Sequence, residues 1–126
     1  MSAPVVLLVD DNEDCRIIYG STLRHAGYTV RTAVDGVQCL ASVAENAPDL
    51  ILLDIGMPRM DGMEALERLK KDPQTNGIPV VAVSARVGQD QQARVLKAGF
   101  TEVLLKPITP SDILESVKRH LPLDGH

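Results

Sequence analysis

The run Leu50-Ile51-Leu52-Leu53 is aliphatic without interruption and stops at a carboxylate, Asp54, with a Gly- and Pro-containing loop from Ile55 to Gly62 behind it. A run with no polar alternation does not suit a strand with one wet face. It suits a strand covered on both faces, as in a parallel sheet with helices on either side. Val5-Val6-Leu7-Leu8-Val9 repeats the pattern and also ends in acid, Asp10-Asp11. In open sheets of this kind ligands bind beyond the carboxyl ends of the strands. Asp54 therefore stands either at a reaction site or merely at a capped turn, and the other strand ends decide which.

A helix is expected from about 12 to 26, with Glu13 and Asp14 in its first turn, where the helix dipole favours acid, and Gly27 as its stop. Residues 28 to 33 alternate and are more polar, which marks an edge strand. Asp35 is placed to cap a second helix, in which Val37, Leu40, Ala41 and Ala44 recur at helical spacing. A third helix, about 62 to 71, carries Met63, Leu66 and Leu69 on one side, and Asp72-Pro73 breaks it. A fourth strand covers 78 to 84, a fourth helix about 89 to 98, and a fifth strand 101 to 105. Thr109-Pro110-Ser111-Asp112 combines a capping hydroxyl, a proline at the first helical position and a first-turn acid. It opens a fifth helix presenting Leu114, Val117 and Leu121. Five strands alternating with five helices make an α/β domain, a doubly wound five-stranded parallel sheet. With the polar second strand at an edge, the order is 2-1-3-4-5, the flavodoxin-like (βα)5 arrangement. Residues 1–126 read as a single domain, with no effector domain in this chain.

The net charge is −4 and no basic cluster occurs, which argues against direct binding of nucleic acid. One Phe, two Tyr and no Trp leave little with which to stack bases. No apolar run approaches the roughly 20 residues of a membrane span, and no basic segment precedes Val5 as in a secretory signal. A cytoplasmic location without membrane contact is expected. Cys15 and Cys39 fall on expected helices, too few for a disulfide framework, and read as reduced, half-buried thiols. His25, His120 and His126 lack metal-ligand spacing and are given no role.

The strand ends converge. Strands one, three, four and five end in Asp10-Asp11, Asp54, Ser84-Ala85 and Lys106-Pro107, all on one edge of a parallel sheet. Each alone is commonplace; together they place three carboxylates, a hydroxyl and an ammonium in one cleft. Three carboxylates so placed repel one another, and the single charge of Lys106 does not offset them. A hard divalent ion does, and Mg²⁺ typically takes one or two carboxylates plus exchangeable waters. Mg²⁺ and Lys106 would together neutralise an incoming phosphoryl group, which is most of what phosphoryl transfer requires. A carboxylate can be the covalent acceptor, and an aspartate is ordinarily ionised at neutral pH. Asp54, on the central strand, is the expected nucleophile.

These residues resemble the receiver domains of two-component response regulators over about Val5 to Leu121. The motifs are Val-Asp10-Asp11-Asn, Leu-Asp54-Ile-Gly-Met-Pro-Arg-Met-Asp-Gly, Val-Ser84-Ala85 and Leu-Lys106-Pro107. The resemblance implies that Asp54 accepts a phosphoryl group from a sensor histidine kinase or a histidine phosphotransfer protein. It implies that Asp11, Asp54 and the carbonyl of Gly56 bind Mg²⁺ directly and Asp10 partly through water. It also implies that Ser84 bonds a phosphoryl oxygen and Lys106 pairs with the phosphoryl group. The domain would catalyse only its own phosphorylation and dephosphorylation. The signal would leave through a face made of the fourth helix, fifth strand and fifth helix, toward a downstream protein. Three positions depart from the common pattern: Val103 stands where many members carry Tyr or Phe, and Gly56 and Arg86 flank the site, where they are expected to alter the phosphoryl lifetime. Phe100 is expected in the core.

Two other readings compete. A Mg²⁺-dependent phosphohydrolase of the haloacid dehalogenase type also uses a strand-end aspartate, but it needs a second Asp two residues on, where Gly56 stands. A phosphorylation-independent interaction module on the same fold usually loses the acidic pair or the acceptor, and both are present here.

Overall fold

The computed structural model describes residues 3–55, 62–84, 93, 96–105 and 107–123. The unalternating runs form the middle of one parallel sheet. Its strands are β1 (Val5–Val9), β2 (Thr29–Ala33), β3 (Leu50–Asp54), β4 (Val80–Ser84) and β5 (Glu102–Leu105), in the order β2-β1-β3-β4-β5. All pairs are parallel. Every residue of β3 and β4 is buried, whereas β2 and β5 are partly exposed along their length, as edge strands are.

Strand side chains alternate between the two faces. Leu7, Val9, Ile51, Leu53, Val80 and Ala82 pack with Cys39, Val43, Ala65, Leu66, Leu69 and Phe100 on one face. Val6, Leu8, Leu50, Leu52, Val81 and Val83 pack with Leu23, Tyr28, Ile113 and Val117 on the other. The first layer is covered by α2 (Gly36–Glu45) and α3 (Gly62–Lys71), the second by α1 (Glu13–Ala26) and the C-terminal helix (Pro110–His120). Residues 93 and 96–98 are helical and Gly99 follows at φ +120°, in the left-handed region, but most of the expected fourth helix lies outside the described residues.

The helix ends are set by local chemistry. Asn12 Oδ1 accepts the Cys15 N–H, and Gly27, at φ +117°, turns its N–H back to the Arg24 carbonyl. Asp35 Oδ1 accepts the Gln38 N–H at 2.8 Å while Gln38 Oε1 accepts the Val34 N–H at 3.1 Å. Thr109 and Asp112 form a reciprocal capping box, with Pro110 at the start of the helix.

Some expectations shift. β4 begins at Val80 rather than at Ile78: Pro79 has no N–H to give the sheet, and the Ile78 N–H closes the preceding turn on Thr75. On α2 the buried positions are Gly36, Cys39 and Val43, with Leu40 partly buried, while Val37 is 51% exposed. The stripe drawn through Val37, Leu40, Ala41 and Ala44 is thus about one residue, roughly 100°, off the buried face. The cause is Cys39, a small apolar side chain that is wholly enclosed rather than half-buried. The C-terminal helix likewise centres its buried face on Ile113 and Val117, flanked by the partly buried Leu114 and Leu121.

Candidate functional site

The carboxyl ends of β1, β3, β4 and β5 share one edge, and strand register decides which residues meet there. Val9 pairs with Leu53, so the next residues, Asp10 and Asp54, stand side by side on neighbouring strands. In the alternation Asp10 follows Val6 and Leu8, and Asp54 follows Leu50 and Leu52, so both leave the sheet on one side. Asp54 pairs with Val83 and Ser84 with Leu105, which puts Ser84 one residue beyond the level of Asp54 on the adjoining strand. Asp10, Asp54 and Ser84 are 3%, 6% and 6% exposed. Asp11, the first residue of the loop, is solvent-exposed.

Asp10, Asp11 and Asp54 form a group in which one carboxylate oxygen from each lies within 4.8 Å of the others. The spacing and the all-oxygen donor set fit a hard divalent cation, whose ligands stand roughly 3–4 Å apart when metal–oxygen distances are about 2.1 Å. Gly56 and Lys106, the remaining predicted members of the site, and Arg86 lie outside the described residues.

The segment leaving β1 is tied down at several points. The Asp10 N–H donates to Ala33, and Asp10 Oδ1 accepts the Asn12 N–H at 2.9 Å. Arg16, on the first turn of α1, donates from Nη1 to the Asp10 carbonyl at 2.7 Å. Sequence reasoning passed over Arg16; its only signal was a basic residue one helical turn beyond a strand-end acidic pair. It also passed over His120, whose Nε2 lies 2.8 Å from Glu102 Oε1, beside bonds to the same carboxylate from Ser116 (2.7 Å) and Arg119 (2.5 Å). No spacing rule links residue 102 to residues 116–120 before the C-terminal helix is docked on β5.

Residues 6–118 match the family model described as the response regulator receiver domain. The chain belongs to that family. This receiver domain is 39% identical over 125 residues to the transcriptional regulatory protein PrrA of Mycobacterium tuberculosis, an alignment covering 99% of the chain but 53% of PrrA. The domain thus spans about half the length of the PrrA relatives it matches. It is 32% identical to the protein PilG of Pseudomonas aeruginosa, over 93% of the chain and 87% of PilG. Among solved structures, the chemotaxis response regulator CheY4 of Vibrio cholerae superposes with a TM-score of 0.89 at 31% identity, covering 95% of this chain and all of that one. The receiver domain is a signalling domain of two-component response regulators rather than a classical enzyme. Among the described residues no helix is long and apolar enough to cross a membrane.

Proposed function

We propose that this receiver domain accepts a phosphoryl group on Asp54 from a phosphohistidine, in a Mg²⁺-dependent reaction, and changes conformation to signal through protein contacts. The observation that carries this reading is the gathering of Asp10, Asp11 and Asp54 at the carboxyl edge of the sheet, with Asp54 on the central strand. Asp54 Oδ attacks phosphorus, the new P–O bond forms as the P–N bond of the donor breaks, and the imidazole leaves with the electron pair. Asp10, Asp11 and Asp54, with the carbonyl of Gly56, are the groups that would hold Mg²⁺, which when bound supplies positive charge against the phosphoryl oxygens. Ser84, at the end of β4, donates its hydroxyl to one phosphoryl oxygen, and Lys106, next after Leu105, pairs with another. Because both groups bind the phosphoryl oxygens and not the bare carboxylate, phosphorylation favours the conformation in which they reach it.

The donor is a sensor histidine kinase or a histidine phosphotransfer protein, which puts the domain in the cytoplasm. Ile17 and Ile18, 59% and 50% exposed on the first two turns of α1, support docking of a protein donor close to the acidic group. The signal leaves through the expected fourth helix, β5 and the C-terminal helix. The domain catalyses no more than its own phosphorylation and dephosphorylation.

Intact-mass analysis after incubation with Mg²⁺ and a small phosphodonor tests the proposal. One phosphoryl adduct is expected, lost in Asp54→Asn and lost when Mg²⁺ is chelated. No adduct with any donor would sink it.

A further inference from the structure

Asp11 differs from its two partners in what holds it. Asp10 and Asp54 are buried, but Asp11 is exposed, so packing does not fix the direction of its carboxylate. Its direction is inherited from the peptide that precedes it. A peptide unit is planar, so the orientation of the Asp10 carbonyl also sets the orientation of the Asp11 nitrogen and Cα. That carbonyl accepts the Arg16 Nη1–H at 2.7 Å, a charge-assisted bond. Arg16 is itself anchored, since its backbone N–H donates to the Asn12 carbonyl at 3.1 Å in the first turn of α1. Among the described residues no carboxylate lies within salt-bridge distance of the guanidinium, which serves the backbone rather than the acids.

We infer that Arg16 is a positioning residue of the acidic site: it orients the Asp10–Asp11 peptide so that the Asp11 carboxylate stands with those of Asp10 and Asp54, ready for a divalent cation. The inference rests on the reading of this group as a Mg²⁺ centre. Arg16 touches neither cation nor phosphoryl group. Removing it has two opposed effects on the cation. Loss of orientation weakens binding, and groups that orient metal ligands typically matter by 10–100-fold in affinity. Loss of a nearby positive charge strengthens binding, but at an exposed mouth water and salt screen that effect. Orientation wins.

Titrating the chain with Mg²⁺ alone, followed through the backbone amide resonances of Asp11 and Asn12, separates these effects. Arg16→Met is expected to bind Mg²⁺ on the order of tenfold more weakly, while Arg16→Lys, which keeps a charged donor, recovers most of the affinity. Urea midpoints of the three proteins stay close, which separates weakened Mg²⁺ binding from loss of the fold. Unchanged or tighter binding by Arg16→Met overturns the inference, as does a weakening that Arg16→Lys does not recover. A wild-type chain with no saturable response to Mg²⁺ overturns the metal reading beneath it, an outcome distinct from the other two.

Discussion

Cys15 and Cys39 look alike in the sequence and are chemically unlike in the fold. Cys39 faces the sheet from α2 with no exposed surface, and burial pushes its thiol up to about 12, far from the thiolate form that reacts. Cys15, on the first turn of α1, is partly exposed. Iodoacetamide at mildly alkaline pH should therefore label Cys15 in the native protein and reach Cys39 only after unfolding in urea. Peptide mass spectrometry checks this, and equal native labelling would contradict the burial of α2 described above. Val103 and Phe100 make a similar contrast. Phe100 is 4% exposed and belongs to the core, whereas Val103, on the edge strand β5, pairs with Ala82 of β4 and packs against that core from the edge. A valine there has no ring to swing, so any coupling from Ser84 to the β5 edge runs through backbone and aliphatic packing.

The C-terminal helix is fastened to β5 by Glu102. Burial of its carboxyl favours the neutral form, but hydrogen bonds from Ser116, His120 and Arg119, together with the Arg119 charge, outweigh that and hold it below the usual carboxylate range. A carboxyl so lowered contributes stability above its unfolded value, near 4.3, and loses the contribution as pH falls through the lower folded value. Glu102→Gln should cost about 1–2 kcal/mol at pH 7, for a set of charge-assisted bonds that is partly exposed. That cost should shrink as the pH drops below about 4. Urea midpoints of both proteins between pH 3 and pH 7 provide the comparison; a gap independent of pH would mean that Glu102 acts through packing alone. The same attachment joins the edge strand to the face proposed for output. Loosening it therefore alters a surface about which the acidic cluster says nothing.

For the molecule as a whole, the sheet's middle is what holds the site together. Leu52 has no exposed surface and stands two residues before Asp54. Leu52→Ala should destabilise the fold by about 2–5 kcal/mol, read from thermal or urea unfolding, because the rigid strands around it cannot close the void. A loss well under 1 kcal/mol would show that the core collapses around the gap. Both central runs, the edge character of β2, the caps at Asp35 and Thr109, and the strand order were all legible in the sequence, whereas the cap at Asn12 came only from the structure. Those signals are local: unbroken apolar runs, cap chemistry and turn residues each depend on a few neighbours. The face of α2 was not legible, because stripes one residue apart both look apolar and only docking chooses between them.

Asp10, Asp11, Asp54 and Ser84 could be proposed from the sequence because a parallel sheet sends the carboxyl ends of all its strands to one edge. Chemistry placed at those ends converges whatever the details of packing. The tertiary structure alone decided the contacts that brace the first strand end and the β5 edge. Arg16 reaches back six residues to the Asp10 carbonyl, and Glu102 gathers three side chains from a helix that is distant in sequence. Such contacts depend on the angle at which a helix docks and on the side-chain rotamers that result, and neither is written in any local pattern of residues.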